Sequence, residues 1–356
     1  MFETKQVADH ARESIYMRTG VDITRPSQLY ISVTTRCNYQ CKMCIYWSLP
    51  DDPELSTEEW FQVLDHLGRW PGPGTKLNIS GGEPLLRDDL ISILARASQV
   101  GFAAGIVTNG SLLDESAAEE LIAAGLFNVN VSLDSLDPSI NDRLRGYRGA
   151  TEKAVAAIDR LMEAKSRLGS RLAVILKATA MEPTLDGLVD LVDFAKQRGI
   201  SGVLFQGIST PPGPGATTGW RESSGLWPRD SVKVTGVFDT LIAMKKKGLP
   251  ILNSKGHLRS IARYLLDPSS SSDGVCRVGS TNLTISASGT VPAICDILEG
   301  SHGLGNVSIE TAEAIWKSPA AREARRKARD CRRNCVLTNQ RSRSFSEKVG
   351  LYLHLH

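Results

Sequence analysis

Cys37, Cys41 and Cys44 stand close together, and four more cysteines, Cys276, Cys295, Cys331 and Cys335, follow only after a long interval. Three thiolates spaced this way can bend around one metal centre, but they fall short of the four ligands that close a structural zinc site. None of the six histidines (His10, His66, His257, His302, His354, His356) adjoins them. A [4Fe–4S] cluster with one iron left open suits the set, and an open iron can bind a substrate or cofactor. A zinc knuckle with a distant fourth ligand, or three buried thiols, are the alternatives. The later four cysteines make a complete set, suited to a fully ligated [4Fe–4S] cluster or to a four-thiolate zinc. An odd cysteine count and a polar Met1–Thr24 without a signal-type apolar core argue against a secreted disulfide scaffold and make the cytoplasm the expected compartment.

These thiols need a frame. Hydrophobic residues make up 41% of the 356 and charged residues 23%, the balance of a globular chain. A net charge of +3 is too small to imply nucleic-acid binding, and no apolar run is long enough to span a membrane. Strands are expected at Leu29–Thr34, Leu77–Ser80, Ala104–Thr108, Val129–Leu133, Leu172–Ala178 and Val203–Gly207. Several are almost continuously apolar, as in strands buried on both faces. Helical spacing fills Thr57–Trp70, Leu86–Val100, Asp114–Ala124, Thr151–Leu168 and Leu185–Arg198 between them. Such alternation predicts an α/β fold with a parallel sheet and right-handed crossovers. Six repeats are two short of a closed eightfold barrel, so a partial (β/α)6 barrel is expected. Ser209–Asp230, rich in proline and glycine, reads as a long loop carrying Trp220 and Trp227. Beyond it come helices at Val232–Lys247 and Arg259–Leu266, a hairpin turning at Ser288-Gly289, and a last helix over Thr311–Arg329. Lys317–Arg333 is strongly basic and reads chiefly as a solvated helix face.

The pattern resembles the radical S-adenosylmethionine (SAM) superfamily. Cys-x3-Cys-x2-Cys follows the first strand, and Ser80-Gly81-Gly82-Glu83-Pro84 ends the second. Thr108-Asn109-Gly110 follows the third, Val131-Ser132-Leu133-Asp134 lies at the fourth, and Asn141–Gly146 sits just beyond. The resemblance implies that Cys37, Cys41 and Cys44 ligate a [4Fe–4S] cluster whose fourth iron is chelated by SAM. One-electron cleavage would then yield a 5′-deoxyadenosyl radical that abstracts hydrogen from substrate. It further implies a cofactor site of Gly81, Gly82, Glu83, Thr108, Asn109, Ser132, Asp134 and Arg145. Gly81–Glu83 would meet the methionine amino group, Ser132 and Arg145 the carboxylate, and Asp134 the ribose or the same polar end. Met43 stands where the family often has an aromatic residue beside the adenine. Cys276…Gly289…Cys295, Gly305-Asn306-Val307, Trp316 and Cys331-x3-Cys335 resemble the SPASM/twitch extension, which implies a small C-terminal α+β domain. There Cys276, Cys295, Cys331 and Cys335 would hold an auxiliary [4Fe–4S] cluster for electron transfer.

Four regions are therefore expected: an N-terminal extension (1–26), the barrel (27–231), the auxiliary-cluster domain (232–342) and a tail (343–356). The expected activity is oxidation or rearrangement of a small polar metabolite, of natural-product type. A maturase for a ribosomally made peptide is the alternative, and a zinc–thiolate regulator the non-enzyme reading. About 28 residues before the first strand, with no evident leader-binding domain, favour the small-molecule substrate. The resemblance also implies an electron donor such as flavodoxin or ferredoxin, with no membrane or nucleic-acid partner. The catalytic acid or base is not legible, although Lys177 and Gln206 lie near the ends of strands five and six.

Overall fold

In the computed structural model, residues 2–49, 52–210, 219–271, 275–295 and 303–335 are described; the expected tail at 343–356 and part of the loop at 209–230 lie outside them. Six strand–helix steps follow the expected order. They are β1 (Gln28–Thr34), α2 (Thr57–Arg69), β2 (Lys76–Gly81), α3 (Leu90–Gln99), β3 (Ala103–Thr108) and α4 (Glu115–Ala123). Then come β4 (Asn128–Ser132), α5 (Pro138–Arg145), α6 (Ala150–Arg167), β5 (Ala173–Ala180), α7 (Leu188–Arg198) and β6 (Gly202–Gly207). Before them lies α1 (Phe2–Thr19). After them come α8 (Trp220–Ser223), α9 (Ser231–Lys246), α10 (Lys255–Leu266), α11 (Val278–Thr281), β7 (Asn282–Ile285), β8 (Thr290–Val291), β9 (Gly305–Asn306), α12 (Ala312–Lys317) and α13 (Pro319–Asp330).

The sheet is parallel and open, in the order β6-β5-β4-β3-β2-β1-β7. Its seventh strand corrects the expected hairpin. The turn does form, with Ser286 N–H donating to Thr290 O at 2.8 Å and Gly289 at φ +80°. Its two arms part company, however. β7 lies parallel to β1, and β8 pairs instead with β9. Leu283 and Ile285 are buried in β7 in register with Leu29 and Ile31, so the apolar face continues across the edge of β1.

β3 and β5 are buried on both faces along nearly their whole length, as their continuous apolarity predicts, whereas the other strands are partly exposed on one face. Leu29, Ile31, Leu77, Ile79, Val129, Val131, Val174 and Leu176 are buried in the one large core under the helices. Alternate positions, among them Gln28, Tyr30, Asn78, Ser80, Asn128, Ser132, Lys177 and Gln206, are only half-buried. With a period of two, these positions make part of the other, concave side of the sheet polar, beside a second buried apolar cluster of Ala173, Ile175 and Leu252.

Two further helices differ from expectation. Pro138 at the start and Asp137 capping the Ser139 N–H open α5, which pattern reading passes over because it is short and mostly polar. The last helix is broken at Ser318-Pro319, where Ser318 ends α12 and caps α13 by accepting from Ala321 N–H at 3.1 Å. The basic α13 is not simply a solvated face. Arg325 is buried, pairs with Asp22 at 2.6 Å and lies 4.6 Å over Trp316, while Arg329 covers Tyr16 of α1. Trp316 Nε1–H also donates to Thr24 O, so the N-terminal extension is fastened to the C-terminal helices.

Candidate active site

The seven cysteines gather into two groups. Cys37, Cys41 and Cys44 lie on the loop after β1, with Tyr39, Met43 and Ala150 packed about them. The loop is held at three points. Lys42 N–H donates to Leu144 O at 2.9 Å, at the end of α5, and Trp47 Nε1–H to Cys41 O at 3.1 Å. Asn38 takes a hydrogen bond from Asn109 Nδ2 at 2.8 Å and gives one to Ser111 Oγ at 2.8 Å. Asn38 was missed from sequence. Its place between two cysteines was the available signal.

The glycine pair explains how the second strand meets this loop. Gly81 has φ +124°, and a Cβ there would collide with Thr34 O; one on Gly82 would collide with Arg36 O. The close approach is therefore to the backbone of the cysteine loop. Gly82 N–H and Glu83 N–H donate to Thr34 O and Arg36 O, both at 2.9 Å. Glu83 is buried. Its carboxylate accepts from Thr108 Oγ1 at 2.7 Å, Asn109 N–H at 2.7 Å and Leu85 N–H at 3.2 Å, tying the ends of β2 and β3 together. Burial outweighs these three donors and pushes its titration up to about 7. A second unforeseen bracket is Arg87, which donates to Val33 O and Leu55 O and pairs with Asp89 and Glu54.

Ser132 and Asp134 follow at the end of β4. Asp134 is fully enclosed: Oδ1 accepts from Thr179 N–H at 2.8 Å and Oδ2 meets Arg145 at 2.7 Å, while Asn141 Oδ1 accepts from Asp134 N–H. Asp134 accordingly holds Arg145 in place. Arg145 faces Cys41 as well, and this cation opposes the burial that pushes the Cys41 thiol up to about 11. Lys177 is paired in register with Ser132 on the concave face. Burial and the nearby Arg145 lower its affinity for a proton. Gln206 donates to Thr179 Oγ1 at 3.1 Å.

In the second group, Cys276, Cys295 and Cys331 pack with Val278, Ile294 and Ala328. Cys276 lies within electrostatic reach of Cys335, Cys295 and Cys331, and its burial pushes its thiol up to about 11. Glu13 of α1 pairs with Arg277 at 2.8 Å, beside Cys276. Among the described residues, no three His, Cys, Asp or Glu side chains converge tightly enough for a single metal ion. Groups of three and four soft thiols have the donor chemistry that iron–sulfur clusters take.

The chain matches the family description "Radical SAM superfamily" over residues 31–186 and the SPASM "iron-sulfur cluster-binding domain" over residues 276–336. It belongs to the radical SAM superfamily. This radical SAM enzyme uses SAM and [4Fe–4S] clusters, and its open seven-stranded sheet is the partial barrel of the family. Fe-coproporphyrin III synthase of Methanosarcina barkeri is 37% identical over 146 residues, 40% of this chain and 36% of that protein. Pre-heme d1 synthase of Dinoroseobacter shibae is 32% identical over 51% of this chain and 45% of that protein. PqqA peptide cyclase of Granulibacter bethesdensis is 34% identical over 40% of this chain and 38% of that protein. These matches span less than half of each relative. In fold, SuiB of Streptococcus suis bound to S-adenosylmethionine matches with a TM-score of 0.67 at 18% identity, over 91% of this chain and 73% of that one. The radical SAM enzyme contains no helix among the described residues long and apolar enough to cross a membrane. The preference for a small molecule over a peptide is corrected by these comparisons. PqqA peptide cyclases are among the sequence relatives, and SuiB bound to its precursor peptide SuiA is among the similar structures.

Proposed function

We propose that this radical SAM enzyme modifies a ribosomally synthesised peptide. The carrying observation is its similarity to two PqqA peptide cyclases, at 34% and 35% identity, within a chain that also has a SPASM domain. Cys37, Cys41 and Cys44 would hold the first cluster and Cys276, Cys295, Cys331 and Cys335 the auxiliary one. The first cluster and SAM together supply a 5′-deoxyadenosyl radical when bound.

The chain's own residues would position that chemistry. Arg145, fixed by Asp134, presents forked donors suited to the SAM carboxylate, and Ser132 adds a hydroxyl on the same strand end. Gly81, Gly82 and Glu83 hold the cysteine loop against β2, and Glu83, Thr108 and Asn109 lock β2 to β3. Lys177 and Gln206 face the polar concavity, where a peptide backbone would find donors and acceptors. The regions 27–231 and 232–342 would divide the labour between radical generation and electron transfer.

The test is anaerobic co-expression with a candidate precursor peptide, read by mass spectrometry. A mass change in that peptide that disappears in the Cys37→Ala variant is expected. An unmodified peptide, with SAM still cleaved by the reconstituted enzyme, would overturn the reading.

A further inference from the structure

The chain from 219 to 230 returns over the ends of β5 and β6, at the same end of the sheet as the cofactor motifs. Leu226 O accepts from Glu182 N–H at 2.8 Å, just beyond β5. Trp227 is buried, donates through Nε1–H to Leu265 O at 3.1 Å and meets Tyr264 edge-on at 5.4 Å. Tyr264 in turn lies against Gly207, the last residue of β6. Over this aromatic floor is an open cleft of about 680 Å³ lined by Arg221, Glu222, Trp227, Arg229, Pro268 and Ser269.

Its charge is distinctive. The Arg221 guanidinium lies over Trp227, 4.7 Å from the ring centre, and Arg229 donates to Glu222 O at 2.6 Å. Neither guanidinium forms an ion pair with a carboxylate among the described residues. Glu222 brings one carboxylate to the wall, and the Asp267 carboxylate is turned onto Ser269 N–H and Oγ. The far wall continues into Ser270, whose carbonyl accepts from Asn334 N–H at 3.0 Å, next to Cys335. The cleft thus leads from the barrel mouth toward the auxiliary thiols.

We propose that this cleft is a docking subsite for an acidic segment of the peptide substrate. The inference rests on the peptide reading given above. A guanidinium already held over an aromatic ring is ordered before binding, and two adjacent forked cations suit successive carboxylates. A peptide held there would cross the barrel mouth, with the residue to be modified reaching the concavity.

The test uses the full reconstituted chain and fluorescein-labelled hexaglutamate, hexaserine and hexalysine, followed by fluorescence anisotropy. Hexaglutamate is expected to bind and the other two are not. Arg221→Gln with Arg229→Gln should weaken hexaglutamate about tenfold, the scale of two exposed charge pairs. Arg221→Glu with Arg229→Glu should move the preference to hexalysine, a gain that misfolding cannot imitate. Hexaglutamate binding that is the same in all three proteins would overturn the cleft assignment and leave the peptide reading standing. Displacement of hexaglutamate by tricarballylate at equal carboxylate concentration would identify a small polycarboxylate ligand, and would overturn the proposal together with the peptide reading.

Discussion

Replacing Glu83 by glutamine removes one titration from the centre of the fold and keeps the side chain's shape. In the folded chain burial raises this carboxyl to about 7, against an ordinary value of 4.5. Between those two values the folded state keeps a proton that the unfolded state has released, so raising the pH through the window favours unfolding. At about 1.4 kcal/mol per pH unit, the penalty reaches about 3 kcal/mol above pH 7 and is absent below pH 4.5. Glutamine has no such penalty, but its amide NH2 must face either Asn109 N–H or the pair Thr108 Oγ1–H and Leu85 N–H, at a pH-independent cost of about 1–3 kcal/mol. The variant should therefore be the less stable protein near pH 4.5 and should equal or overtake wild type near pH 7.5. Urea unfolding of iron-free wild type and Glu83→Gln at pH 4.5, 6 and 7.5 measures this. A stability difference that stays constant across those three values would refute the argument.

Four other outcomes are expected. Anaerobic reconstitution should give about eight irons, falling to about four when Cys37, Cys41 and Cys44 are alanine, by iron assay and paramagnetic resonance. Gly82→Ala should push the cysteine loop off β2 and cost first-cluster iron while the auxiliary cluster persists, because the added Cβ meets Arg36 O. Arg145→Ala should weaken SAM binding about tenfold or more by calorimetry and destabilise the chain by about 3–5 kcal/mol, because Asp134 is left buried without its cation. Arg325→Ala should cost about 3–5 kcal/mol through the stranded Asp22 contact and open α1 to limited proteolysis.

The thiol spacing and the glycine, asparagine and aspartate motifs were legible because each is local: a loop after a strand, in a chain whose apolar runs mark the strands. Order along the chain then placed them at one end of a parallel sheet. What was not legible depends on pairing across long separations. Leu283 and Ile285 alternate equally well in a hairpin or beside β1, and only the unfilled edge of β1 decides between them. Asn78, Ser80 and Lys177 sit singly in apolar runs, so the polar concavity emerges only when neighbouring strands align them. Arg325 reads as one of many surface cations until Asp22 and Trp316 are brought to it from distant segments. The role of Asp134 in holding Arg145 was hidden similarly, since it needs Thr179 of the next strand to fix the carboxylate. The substrate preference failed for another reason. It rested on the length of chain ahead of β1, which carries no information about what enters the barrel.

Deuterium transfer tests the central claim most directly. The reconstituted enzyme is incubated anaerobically with SAM, a reductant and the candidate precursor peptide carrying deuterated side chains, and the 5′-deoxyadenosine is analysed by mass spectrometry. Deuterium in the 5′-deoxyadenosine, matched by a mass change in the peptide and lost when Cys37, Cys41 and Cys44 are replaced, is the expected result. Unlabelled 5′-deoxyadenosine beside an intact peptide would contradict the account.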